Sequence, residues 1–117
     1  MDTREKIRES AGPGVRSTLV VGHFDPLVAA HAKRLRELRR EGNVLIVAVT
    51  NPRAPLLSLQ ARSELVAGLA AVDYVVPVDG DVKEVIERIQ PDEVVYEEDV
   101  DIRRTRELME HVRTRHS

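Results

Sequence analysis

Four short runs of aliphatic and β-branched residues alternate with segments of helical spacing, and this alternation limits the folds open to the chain. Residues 18–22 (T-L-V-V-G), 43–50 (N-V-L-I-V-A-V-T), 74–78 (Y-V-V-P-V) and 93–96 (E-V-V-Y) read as strands. The second is continuously apolar, as a strand covered on both faces must be. Residues 28–41 place Val28, His31/Ala32, Leu35 and Leu38 on one stripe, and Gly42 follows as a C-cap. Residues 58–70 do the same with Leu59, Arg62/Ser63, Val66 and Leu69/Ala70. Asp81 and Glu84 form a capping-box-like pair that opens a third helix, which Pro91 ends. A fourth helix is predicted over 101–115, with Ile102, Thr105, Leu108/Met109 and Val112 on one face. The β-α order predicts an α/β fold: a doubly wound parallel sheet of four or five strands flanked by helices.

With 117 residues there is material for one domain. Gly12-Pro13-Gly14 breaks the chain early, so residues 1–16 are expected to form a tail or short helix, and 17–117 the domain. Phe24, Tyr74 and Tyr96 are the only Phe, Tyr or Trp residues, so the core must be built from Val, Leu, Ile and Ala, which suits a covered parallel sheet. The absence of cysteine excludes disulfides and thiolate metal sites. A net charge of -2 gives no pull toward nucleic acid. Lys33, Arg34, Arg36, Arg39 and Arg40 read as a solvated helix face without interleaved aromatics. No apolar run approaches the roughly 20 residues of a membrane span, and residues 1–16 lack the apolar core of a secretory signal. The expectation is a cytoplasmic protein that engages neither nucleic acid nor membrane.

In doubly wound sheets, ligands bind beyond the carboxyl ends of the strands, where the strand order reverses. The first such loop runs V-V-G-H-F-D-P-L-V-A-A-H from residue 20. Gly22 lets the backbone turn and approach a ligand closely. Asp25 before Pro26 reads as an N-cap followed by an N1 proline, and the helix start would then form an anion site. His31 lies in the first turns of that helix, where side chains lean back toward the N-terminus. Its ring either reaches a bound phosphate or fills the core stripe between Val28 and Leu35.

The loop resembles the signature of the cytidylyltransferase-like nucleotidyltransferases, G-x-F-D-x-x-(H/T)-x-G-H, through Gly22, Phe24, Asp25 and His31. That group includes enzymes of the glycerol-3-phosphate cytidylyltransferase and ADP-heptose synthase adenylyltransferase kinds. Residues 43–51 are similar to the family's G-D-x-L-I-V-A-V-N. Pro55, Gln60, Arg62 and Leu65 through Val72-Asp73-Tyr74-Val75 resemble P-x-x-x-E-x-R-x-x-x-L-x-x-L-x-x-V-D-x-V, and residues 89–95 resemble L-x-P-D-x-L-V. The resemblance spans about residues 18–100 and implies a Rossmann-like nucleotidyltransferase fold. It also implies transfer of CMP or AMP from CTP or ATP, with Mg2+, to a small phosphorylated substrate, releasing pyrophosphate. On the same analogy the chain is expected to form a homodimer.

Read through the resemblance, His31 and Arg62 are the candidate catalytic residues, and Gly22, His23, Phe24, Asp25 and Ala30 the candidate nucleotide-binding ones; no resident metal ligand is assigned. Arg62 would clamp a β- or γ-phosphate or else pair with Glu64 on the helix surface. His23 would donate to phosphate or else sit exposed in the loop.

The motif is degenerate. Val28 stands where relatives carry histidine or threonine, and Ala30 where they carry glycine. Residues 51–57 lack the lysine of the relatives' longer loop; Arg53 supplies that charge or is simply solvated. Where relatives read V-K-G-x-D-Y, this chain has Val95-Tyr96-Glu97-Glu98-Asp99-Val100. Those carboxylates, with Asp101, either hold a hard cation or form a solvated acidic turn. Two functions therefore stand side by side. One is an impaired nucleotidyltransferase; the other is a catalytically inactive relative acting as a nucleotide-binding, regulatory or dimerisation module.

Overall fold

Residues 6–7 and 16–98 are described by the computed structural model. The elements run β1 (Ser17–Gly22), α1 (Ala29–Leu38), β2 (Val44–Val49), α2 (Leu59–Ala67), β3 (Tyr74–Pro77), α3 (Val82–Ile89) and β4 (Glu93–Tyr96). The strands form one sheet in the order β3-β2-β1-β4. Every pairing is parallel, and the registers set Val21 against both Ala48 and Tyr96. This is the α/β, Rossmann-like architecture expected from the order of elements.

Successive strand residues point to opposite faces, and the core divides accordingly. Val20, Leu45, Val47, Val49 and Val75 pack with Phe24, Leu35, Leu38, Val66 and Ala67, so α1 and α2 cover one face. Leu19, Val21, Ile46, Ala48 and Val76 pack with Val85, Ile86 and Ile89 of α3 on the other. Burial on both faces explains why β2 is apolar throughout.

Capping chemistry sets the helix ends. Ser58 accepts the Ala61 N–H at 3.1 Å to start α2, and Asp81 accepts the Lys83 N–H at 2.9 Å to start α3. Helix α1 stops at Leu38, short of the expected residue 41, because Arg39 is already extended. Arg39 donates to both oxygens of Asp73, and Arg40 donates to both oxygens of Glu93. Gly42 makes the turn into β2 with φ +81°, a left-handed conformation that glycine adopts without strain. Lys33, Arg36, Arg39 and Arg40 are exposed, as the reading of a solvated basic face requires, and on that face Arg34, Arg39 and Arg40 meet carboxylates from the sheet's strands and loops.

Of residues 1–16, Ile7 forms a parallel bridge to Val75 on the β3 edge, and Lys6 Nζ donates to the Leu69 carbonyl at 3.2 Å. The helix expected over 101–115 lies outside the described residues. Among those described, no helix is long and apolar enough to cross a membrane.

Candidate functional site

From β1 the chain winds outward through β2 and β3, then returns to place β4 on the opposite side of β1. The crevice at the carboxyl ends of β1 and β4 is thus the reversal point, where this architecture binds ligands. Residues 23–28 follow β1, residues 97–98 follow β4, and residues 50–58 link β2 to α2 beside them.

Asp25 joins two of these loops. Its carboxylate accepts the Leu56 N–H at 2.6 Å and the Leu57 N–H at 2.8 Å. The residue is buried and does not cap α1, contrary to the expectation from Asp25-Pro26. The helix starts three residues after Pro26, with Val28 as its N-cap. The Asp25–Pro26 peptide is cis, and Phe24 before it has φ +51°. A left-handed phenylalanine costs on the order of 1–2 kcal/mol. Burial of its ring in the core and the double grip on Asp25 hold it there.

His31 supplies the missing cap. Its Nδ1 accepts the Val28 N–H at 3.0 Å, while the His31 N–H donates to the Val28 carbonyl at 3.0 Å. The ring is buried and meets Phe24 edge-on, with centroids 5.2 Å apart. An imidazole that accepts at Nδ1 and is neutral carries its proton on Nε2, so Nε2 is a donor. The N–H groups of Ala29 and Ala30 meet no acceptor among the described residues, as at any helix start. Ala30 is exposed and its methyl group stands on this first turn.

Arg62 is completely buried, which overturns the surface pair with Glu64; Glu64 instead accepts from Gln60. Its Nη1 donates to the carbonyls of His23 at 3.0 Å and Thr50 at 2.7 Å. Its Nε donates to the Leu57 carbonyl at 3.1 Å, and its Nη2 to Asn51 Oδ1. One guanidinium thereby ties together the ends of β1 and β2 and both neighbouring loops. Burial pushes its pKa down, and the Asp25 carboxylate partly offsets this. With four of its five N–H groups on protein oxygens, Arg62 positions the loops.

His23 is buried rather than exposed. Its Nδ1 lies 3.1 Å from Thr50 Oγ1, 3.3 Å from the Thr50 carbonyl and 3.8 Å from Glu98 Oε2. Thr50 Oγ1 is 2.9 Å from Glu98 Oε2 and 3.3 Å from the Gly22 carbonyl. A carboxylate can only accept, so the hydroxyl donates to Glu98 and His23 carries its proton on Nδ1. Nδ1 is thus a donor in His23 and an acceptor in His31.

Glu97 follows β4 with its N–H on the Val21 carbonyl at 2.7 Å, and its Oε1 accepts from Arg34 Nε at 2.9 Å. Glu97 is only 6% exposed and Glu98 is half-buried, so the solvated acidic turn is corrected: both carboxylates turn inward. Arg53 is exposed. Among the described residues, no group of three or more His, Cys, Asp or Glu is placed to hold a metal ion. Asp99 and Asp101 lie outside the described residues. Sequence reasoning missed Thr50 and Arg34; the signal for Arg34 was its position one turn beyond His31 on the same helix face.

The cytidylyltransferase-like family model matches residues 19–116. The chain belongs to this family. Among its curated relatives is the bifunctional protein HldE of Azotobacter vinelandii, 33% identical over 99 residues, covering 76% of this chain and 21% of that protein. HldE of Chromohalobacter salexigens is 35% identical over 82 residues, covering 62% and 17%. HldE of Shewanella denitrificans is 37% identical over 92 residues, covering 70% and 19%. The chain thus spans about a fifth of these relatives' length. In structure it is similar to the lipopolysaccharide core biosynthesis protein of Thermoplasma volcanium, with a TM-score of 0.61 and 25% identity over 69% of this chain and 73% of that one.

Proposed function

We propose that the crevice binds a nucleoside triphosphate, CTP or ATP as its Mg2+ complex, and transfers CMP or AMP to a small phosphorylated acceptor. The supporting observation is the start of α1 at the reversal point. There, backbone N–H groups of Ala29 and Ala30 lie beside a histidine whose Nε2 is a donor. Such a helix start attracts phosphate through its dipole and its N–H groups. In this reading Mg2+ arrives as part of the substrate.

In the reaction, an acceptor phosphate oxygen attacks the α-phosphorus and the bond to the bridging β-phosphate oxygen breaks. Pyrophosphate leaves with the electron pair. The attacking oxygen is already anionic, so no base is required. The protein's task is to position two anions and stabilise the charge between them. Gly22 and the Asp25 grip shape the loop, Arg62 holds it, and His31 Nε2–H donates to phosphate. Val28 supplies no side-chain donor and Ala30 adds a methyl group, so turnover is slow. Loss of one such donor costs about 3–4 kcal/mol in related chemistry.

A second reading is a nucleotide-binding module without turnover. It is favoured by Val28 and by Arg62, whose engagement with protein oxygens leaves it little to offer a phosphate. Calorimetry with CTP and ATP in the presence of Mg2+, on the wild type and on folded His31→Ala, tests the shared claim. Binding of one nucleotide, lost in the variant, supports it; no heat from folded wild type overturns it. Pyrophosphate release with phosphorylated acceptors separates the readings, because the module binds without releasing any.

A further inference from the structure

Arg34 lies three residues beyond His31 on α1, so the two share a helix face one turn apart. Its Nε is held by Glu97 at 2.9 Å, while its Nη1 and Nη2 meet no acceptor among the described residues. The Arg34 side chain is 41% exposed and the Glu97 side chain only 7%. The Glu97 backbone is pinned to Val21 at the end of β1. An arginine oriented through Nε by a buried carboxylate, with its Nη fork on no acceptor among the described residues, therefore lies beside the carboxyl ends of β1 and β4.

We propose that Arg34 is a phosphate-binding residue of this crevice and that Glu97 sets its strength. This inference rests on the nucleotide reading and adds to it the group that holds the polyphosphate. Glu97 acts in two ways. It directs the planar fork, which suits bidentate contact with phosphate oxygens. Its negative charge also opposes the approach of a polyphosphate. These effects separate on substitution, because in Glu97→Gln the amide oxygen still accepts from Nε and the charge is gone.

The test is calorimetric titration with inorganic tripolyphosphate, and with CTP and ATP plus Mg2+, on four proteins: wild type, Glu97→Gln, Arg34→Gln and the double Arg34→Gln/Glu97→Gln. The double variant leaves no buried charge unpaired and guards against loss of fold, which thermal melts verify in every case. Removing one charge a few ångströms from the anion is expected to tighten tripolyphosphate binding about tenfold in Glu97→Gln. The double variant should bind more weakly than Glu97→Gln, and Arg34→Gln more weakly than wild type. Unchanged or weaker binding in Glu97→Gln, or a double variant that binds as tightly as Glu97→Gln, overturns the proposal. If wild type binds nucleotide through His31 and Glu97→Gln brings no gain, this inference alone falls. Tripolyphosphate binding that depends on Arg34, without nucleotide binding in any variant, keeps the phosphate site and removes the nucleotide reading. Absence of binding in all four folded proteins removes both.

Discussion

His31 Nδ1 accepts the backbone N–H of Val28 across the first turn of α1, at 3.0 Å. A buried ring that also packs against Phe24 is thus part of the fold before any ligand arrives. In His31→Ala the helix loses its cap and the core gains a void, together about 2–4 kcal/mol by urea unfolding. His31→Gln should recover part of this loss, because a glutamine at this position can reach back to the same N–H. Nucleotide binding should fall in both variants. Stability and binding therefore respond differently to the two changes.

Arg62→Met strands the carbonyls of His23, Thr50 and Leu57 and leaves Asp25 without its neighbouring cation. A destabilisation of about 3–5 kcal/mol is expected from the denaturation midpoint. Arg62→Lys should rescue little of it, since an ammonium cannot reproduce the planar fork that meets these acceptors.

Asp25→Ala removes the acceptor of two consecutive amides. Hydrogen exchange at Leu56 and Leu57 should then speed up selectively, with a stability loss of about 1–3 kcal/mol. Slow exchange persisting at both amides would show that another group protects them.

Glu93 is held below the ordinary carboxylate range, first by the hydrogen bond from Arg40. A depressed folded-state pKa means that the stabilisation is present above the unfolded pKa and is lost as pH falls through the folded one. The pair is exposed, so salt screens it. In Arg40→Ala the NMR titration of Glu93 should move up toward the ordinary carboxylate value, and the acid limb of the stability curve should flatten.

Joint Val28→His and Ala30→Gly restores the family pattern at the start of α1. An impaired enzyme should release pyrophosphate about 100- to 1000-fold faster. The glycine will cost about 1 kcal/mol of helix stability. A module without turnover should show only that cost.

The strands were legible because burial on both faces demands unbroken apolar runs, and β4 falls on the expected residues 93–96. The loop was legible as a place, through Gly22, Phe24, Asp25 and His31, but the roles of its side chains were not. Asp25 looked like a cap because its sequence neighbours are a proline and a helix; its real partners, Leu56 and Leu57, lie more than thirty residues away. The surface alternatives for Arg62 and Glu97 rested on the rule that isolated charges belong in water. Their burial depends on acceptors and donors that only the assembled sheet brings within reach. Local periodicity reports which face of an element is apolar, and it carries no information about such long-range polar partners.

The order β3-β2-β1-β4 also bears on how the molecule comes into being. β1, β2 and β3 are neighbours in both sequence and space, so they can pair as the chain emerges from the ribosome. The other edge of β1 must stay open until β4 arrives, some seventy residues later. Only then do Glu97 and Glu98 reach Arg34, His23 and Thr50. The crevice is therefore complete only once β4, the last of the described strands in the chain, has docked on β1.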